Sequence, residues 1–236
     1  YFCKDFYAAH TNNVINYCES HDEHSVPYEV ATKGDGLVWE EAKERKSRLG
    51  LLATMVALGQ PMIYMGQEFG VERPRNRVDL NWPKFLEQNA YFQWASGLIN
   101  LRRRYPGLRI SGYNPEQEGK FKWILAPWLG ANYGGGKNVI GWTTKPNDLP
   151  WEQMVVILNF EPYAVTVDLN FPLPGYWIKL ADIDHVFDLP LQNANLLNNP
   201  GTIRTDGHFP GFTLPSSSGF IYKWERGFDQ SALPRA

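Results

Sequence analysis

The densest cluster of functional side chains in the sequence is the run Glu19-Ser20-His21-Asp22-Glu23-His24. It follows directly on Val14-Ile15-Asn16-Tyr17, a short β-rich stretch. In a parallel α/β architecture, catalytic and ligand-binding groups collect where strands end and the following helices begin, so the run stands where a site belongs. Several chemistries are open to it on residue type alone. Nucleophilic serine catalysis is rejected, because Ser20, His21 and Asp22 are consecutive and a triad needs its members brought together from separate segments. A metal shared by His21 and His24 lacks a further His or Cys cluster to complete its ligands. A competing structural reading is a helix cap: Ser20-His21-Asp22-Glu23 fits the S-x-x-E capping box, and taken alone a cap is the commoner reason for such a pattern.

A second stretch shifts that balance. Pro61-Met62-Ile63-Tyr64-Met65 reads as a strand and runs into Gly66-Gln67-Glu68-Phe69-Gly70. A polar and aromatic segment follows, with Arg73, Arg75, Arg77, Asp79, Asn81 and Trp82. Two successive strands that each deliver carboxylates into a loop at the same end favour a site over a cap. The Gly134-Gly135-Gly136-Lys137-Asn138 stretch is no phosphate loop, because its spacing fails the P-loop pattern and Asn138 stands where Ser or Thr is needed.

These loops need elements to hold them. Phe2, Phe6 and Ala9 are at helical spacing, and Val14 to Tyr17 is the first strand. From Glu40 to Leu58 the pattern is a helix whose charged first part gives way to an apolar, and therefore buried, second half. Gly59 stops it, and the unalternating run Pro61 to Met65 suits a strand buried on both faces. Ala90 to Tyr105 is a further amphipathic helix, so the first part of the chain is a pair of βα units, too few to close a barrel.

After Pro106-Gly107 the chain becomes all-β. Strands are expected at Lys120 to Leu125, Val139 to Thr143, Met154 to Asn159, Ala164 to Leu169, Tyr176 to Leu180 and Phe220 to Trp224, divided by Gly, Pro and Asn. The fold class is thus α/β followed by all-β, with a boundary near Leu108, an antiparallel β-sandwich over 109–226 and a tail over 227–236. Leu189 to Ser218 reads as loop-rich, and there is no internal repeat.

With 43% hydrophobic residues in a length of 236, one or two domains with a sizeable core are expected. A net charge of -2 with scattered basic residues leaves no footprint for nucleic acid. The apolar runs are far shorter than the roughly 20 residues a membrane-spanning helix needs. Cys3 and Cys18 make neither a disulfide framework nor a metal cluster, and their spacing leaves pairing open. Nine Trp and 12 Tyr fill the core for the most part and leave some rings for stacking on a sugar or another flat face. The start YFCKDFYAAH carries no signal pattern, and a chain cut from something longer or already processed is expected.

The stretches Val14 to Asp22, Gln60 to Gly70 and Leu98-Ile99-Asn100-Leu101-Arg102-Arg103-Arg104-Tyr105-Pro106 together resemble the last part of the α-amylase family, glycoside hydrolase family thirteen. The Ser-His-Asp form, rather than Asn-His-Asp, is more similar to glycogen-branching and related α-glucan enzymes than to plain α-amylases. The resemblance implies the C-terminal part of a (β/α)8 TIM barrel, strands seven and eight with their helices over 1–108, followed by the all-β domain C. It implies that Asp22 is the carboxylate that stabilises the transition state and that His21 hydrogen-bonds sugar hydroxyls. Both roles suit an oxocarbenium-like transition state, whose positive charge an ionised Asp stabilises. Glu68, Arg77 and Asp79 would stand at the rim of the site, and Trp82, Tyr17 and Tyr28 would stack on sugar; for these six, surface ion pairs and core packing are equally open.

Retaining glycosidases also need a nucleophile and a general acid, which this family takes from the fourth and fifth barrel strands, ahead of this chain. The expected function is part of an α-glucan-active retaining hydrolase or glucan-branching transferase, inactive as the fragment alone. The partners are an α-glucan oligo- or polysaccharide and either the missing N-terminal part of the same enzyme or a second copy. No cofactor or metal is implied. The alternative is a non-catalytic carbohydrate-binding module.

Overall fold

The structure is a computed structural model that describes residues 10–34, 39–75, 77, 89–187 and 201–227. The expected helical residues before His10 and the tail after Gly227 lie outside them. Strand β1 (Ile15–Asn16) pairs in parallel with β2 (Gln60–Pro61), Ile15 opposite Gln60 and Asn16 opposite Pro61. Helices α1 (Val26–Lys33) and α2 (Trp39–Val56) cross between them, and α3 (Asn89–Arg104) follows β2.

The capping box that Ser20 offered as the competing reading does not form. The helix starts five residues later, where Ser25 accepts a hydrogen bond from the Tyr28 amide at 3.4 Å. Pro27 explains the shift. Proline is tolerated in the first turn of a helix capped at Ser25, but it would lie inside one begun at Ser20, lacking an amide hydrogen and clashing with the carbonyl four residues back. The Glu23 carboxylate meanwhile bonds the Ser20 hydroxyl instead of a helix N-terminus.

Helix α2 has the buried second half that its sequence predicts, with Leu49, Leu51, Leu52, Ala53, Met55 and Val56 all inside. It ends before Gly59, whose φ of 99° is left-handed and whose added Cβ would lie 2.6 Å from the Val14 carbonyl oxygen, so only glycine fits under β1. Four backbone carbonyls around this turn converge on one side chain. The buried Arg102 of α3 donates to the carbonyls of Met55 at 2.7 Å, Ala57 at 3.0 Å, Gly59 at 2.6 Å and Leu108 at 2.7 Å.

Strand β2 is shorter than the expected Pro61 to Met65. The ladder continues only as far as the Met62 amide, which bonds the Asn16 carbonyl at 2.9 Å, and the chain then turns at 65–66. Nor is the pair buried on both faces, since Ile15 is 61% and Met65 49% exposed. Among the described residues no further strand pairs with β1 or β2, which leaves those side chains without a layer to pack on.

The second half is a six-stranded antiparallel sheet in the order β3-β4-β5-β10-β7-β8: β3 (Phe121–Leu125), β4 (Val139–Thr144), β5 (Met154–Asn159), β7 (Gly175–Asp182), β8 (Ile203–Thr205) and β10 (Ser218–Arg226). A second sheet pairs β6 (Val165–Asn170) with β9 (His208–Leu214). The six expected strands are all present. Strands β8 and β9 are missed, because β9 is largely exposed, carries Pro210 and Gly211, and reads locally as loop.

Strand β5 sits in the middle and is buried along its whole length. Its Val155 and Ile157 join the core between the two sheets, with Val165, Val167, Leu169 and Leu214. Its Met154, Val156 and Leu158 join a larger core with Leu49 and Leu52 of α2 and Trp94, Leu98 and Leu101 of α3. Helices thus cover the sheet face opposite the β6–β9 pair, an arrangement that the alternation of strand residues did not disclose. Helix α2 approaches β10 at Gly219, where an added Cβ would stand 2.8 Å from Leu158 and 3.0 Å from Leu52. The Trp94 indole nitrogen completes the docking by donating to the Asp182 carbonyl at 2.9 Å.

Candidate active site

Because β1 and β2 run parallel, the loops that leave them emerge at the same end. The first holds His21 and Asp22 in a bend, with His21 Nε2 3.2 Å from Asp22 Oδ2 and the two side chains 78% and 75% exposed. The Asp22 amide donates to Ser20 Oγ at 3.1 Å. The second loop turns through left-handed Gly66, whose amide donates to Glu68 Oε2 at 2.8 Å.

Between the loops lies a buried polar layer. Glu19, 1% exposed, accepts a hydrogen bond from the Val26 amide at 3.0 Å. Burial pushes its carboxyl up to about 7, helped by the charge of Glu68 and opposed by the Val26 bond and by Arg73. Arg73 is 6% exposed and places its guanidinium 4.1 Å over the Tyr64 ring. Gln67 is buried as well; it accepts from the Tyr64 amide at 3.3 Å and donates to Cys18 Sγ at 2.9 Å. Burial drives the Cys18 thiol up to about 11, which leaves it protonated and unsuited to nucleophilic chemistry.

The Glu19 carboxyl binds its proton more tightly in the folded chain than its ordinary value of 4.5. Folding therefore gains stability from this group below about pH 4.5 and loses that gain as pH rises through about 7. Glu19→Gln should flatten that part of the stability curve, raising stability at pH 8 relative to pH 5 by roughly 2–3 kcal/mol compared with the parent. Urea unfolding at the two pH values checks this, and a parallel pH dependence in parent and variant would refute it.

Of the residues nominated from the sequence, His21, Asp22 and Glu68 come to the one end. Tyr17 is exposed beside them, and Tyr28 on α1 stacks on His24 with centroids 4.7 Å apart. Arg77 is exposed, while Asp79 and Trp82 lie outside the described residues. Glu19 and Arg73 were passed over as site residues. Both were visible as charged residues near the motif, but nothing local signals that they are buried. Among the described residues no group of His, Cys, Asp and Glu is arranged to hold a metal ion.

No protein-family model matches the chain. Individual proteins do. A 1,4-α-glucan branching enzyme of Rhodopseudomonas palustris (strain HaA2) is 29% identical over 168 residues, covering 66% of this chain and 20% of the enzyme. The pullulanase of Bacillus subtilis (strain 168) is 32% identical over 107 residues, covering 41% of this chain and 14% of that protein. In fold, the Group B Streptococcus pullulanase SAP matches with a TM-score of 0.68 at 18% identity, over 92% of this chain and 33% of its own. A pullulanase from Bacillus acidopullulyticus matches with a TM-score of 0.65 at 19% identity, over 92% of this chain and 25% of its own. The match to the branching enzyme thus spans about a fifth of that relative's length. These relatives and structural neighbours, a branching enzyme and pullulanases, are members of the α-amylase family of glycoside hydrolases, which this chain resembles in sequence and in fold.

Proposed function

We propose that this chain is the closing part of the catalytic barrel, followed by domain C, of an α-glucan-active retaining enzyme, either a hydrolase or a glucan-branching transferase. In this reading β1 and β2 are strands seven and eight of a (β/α)8 barrel, residues 1–108 are its last portion, 109–226 are domain C and 227–236 a tail. The observation that carries it is the exposed His21–Asp22 pair at the C-terminal end of β1, beside the loop that leaves the parallel strand β2. The β1–β2 pair, with no further strand beside it among the described residues, fits a part of a larger parallel sheet whose remaining strands would pair its edges.

The chemistry follows from the proposed place of Asp22. A retaining enzyme places its nucleophile and general acid about 5–5.5 Å apart, and neither is assigned to this chain. Asp22 would stand near the ring as its positive charge develops and stabilise it, while His21 holds a hydroxyl. Water or a sugar hydroxyl then attacks the glycosyl-enzyme intermediate, which is the only difference between hydrolysis and branching. Glu68 and Arg77 line the rim, and Tyr17 offers an exposed ring for stacking. A binding-only role has one observation in its favour, the indole of Trp128, which is 66% exposed and braced edge-on by Trp123 at 5.4 Å.

Glycogen turnover by the enzyme that carries this chain, with none from the 236-residue chain alone, is the expected result of a reducing-sugar and iodine-staining assay. Calorimetry with maltohexaose runs beside it. Turnover by the pure 236-residue chain would overturn the assignment to the last two strands, and binding with no turnover by the whole protein would establish the binding module instead.

A further inference from the structure

We propose that Arg73 is the positioning residue of this site, gripping the loop that carries Asp22 from both sides. The inference rests on the reading of Asp22 given above. The Asp22 side chain touches His21 and is otherwise open to solvent, so packing does not fix where its carboxylate stands. Its backbone must do so. On one side of Asp22, the Arg73 guanidinium donates to the Ser20 carbonyl at 3.2 Å. On the other, the Arg73 backbone and Ser25 exchange two bonds: the Arg73 amide donates to Ser25 Oγ at 2.8 Å, and the Ser25 amide donates to the Arg73 carbonyl at 3.0 Å. Two residues further on, the Arg75 amide donates to His24 Nδ1 at 2.9 Å. One residue therefore anchors the loop at 20 and at 25, with Asp22 between the two anchors.

A purely structural arginine is a poor explanation for this arrangement. Guanidinium is costly to bury, and Nη1 of Arg73 makes no hydrogen bond among the described residues. What offsets the cost is the Tyr64 ring beneath it and the bond to the Ser20 carbonyl. Tyr64 follows β2 and Ser20 follows β1, so the same side chain also fixes the two strand-end loops relative to each other. The precision that catalysis demands gives the reason for such a part: a misplacement of about 1 Å costs up to about 10²-fold in rate.

The test uses the whole enzyme with glycogen as substrate and three variants, Arg73→Met, Arg73→Lys and Glu19→Gln. Arg73→Met should lower kcat by about 10- to 100-fold with KM changed less than about threefold. Arg73→Lys keeps the charge but not the planar fork, and should recover only part of the loss. Glu19→Gln leaves the Val26 amide, at the far end of the same loop, a weaker neutral acceptor, and should lower kcat by about threefold or more. Amide exchange at Asp22 and Val26, read without any substrate, should quicken by about tenfold in Arg73→Met. Unchanged kcat in Arg73→Lys and Glu19→Gln would overturn the proposal even if Arg73→Met fails to fold. So would equal losses in kcat and thermal stability with loop exchange unmoved. Asp22→Asn serves as the control: if it leaves turnover intact, the reading of the site fails, whereas its effect without any from Arg73 and Glu19 sinks only the positioning role.

Discussion

Replacing Asp22 by Asn in the enzyme that carries this chain should lower kcat by about 10²–10³-fold, the loss seen when a preorganised charge-stabilising group is removed from a transition state. Asn keeps the shape and the hydrogen-bonding reach of Asp and loses the negative charge, so the effect isolates electrostatics. The KM should move little, because a charge that matters only once the ring becomes cationic contributes little to ground-state binding. Folding should be nearly untouched. Asp22 is 75% exposed and its side-chain partner among the described residues, His21, is 78% exposed. Exposed pairs of this kind contribute at most about 1 kcal/mol. The measurement is steady-state turnover of glycogen together with a thermal melt. A variant that melts early but keeps its specific activity would assign the residue to the architecture of the loop.

Arg102→Met carries the largest expected effect on stability. The guanidinium is buried between the end of α2 and the segment after α3, and its four bonds to carbonyls of Met55, Ala57, Gly59 and Leu108 tie α2, β2 and α3 into one unit. Burial lowers its pKa to about 10, which still leaves it charged at neutral pH. The carbonyls at a helix C-terminus supply the negative end of a dipole that such a cation satisfies. Methionine fills much of the volume and offers no donor, and each carbonyl left unpaired in the interior costs about 1–3 kcal/mol. With partial relaxation the total should be on the order of 4 kcal/mol, a fall in Tm of roughly 10 °C. Arg102→Lys, with one ammonium in place of a fork, should lose about half as much. A drop of less than about 2 °C for Arg102→Met would mean that the turn at Gly59 finds other donors.

How much of this could be read in advance differs from residue to residue. The α2 and α3 helices, the stop at Gly59 and six strands of the second half were legible, because each is written in local periodicity or in a residue with restricted dihedrals. The place where α1 begins was legible too, though it was missed: Pro27 forbids the helix that Ser20 seemed to cap and permits the one that Ser25 does cap. Strands β8 and β9 were hidden because edge strands have one solvated side and no need of a clean apolar alternation.

The site divides in the same way. Residue identity and order placed His21 and Asp22 after one strand and Glu68 after the next, since a motif is a property of the chain itself. That the two strands are parallel neighbours, that Glu19 is shut away from water and so holds its proton to about 7, and that Arg73 reaches across some fifty residues to Ser20 were decided only in three dimensions. The physical reason is that desolvation and long-range hydrogen bonds depend on what other segments place around a group. No window of sequence contains those neighbours. The sequence thus determined which groups this protein has for chemistry, and the tertiary structure decided which of them are exposed to act and which are buried to hold the others in place.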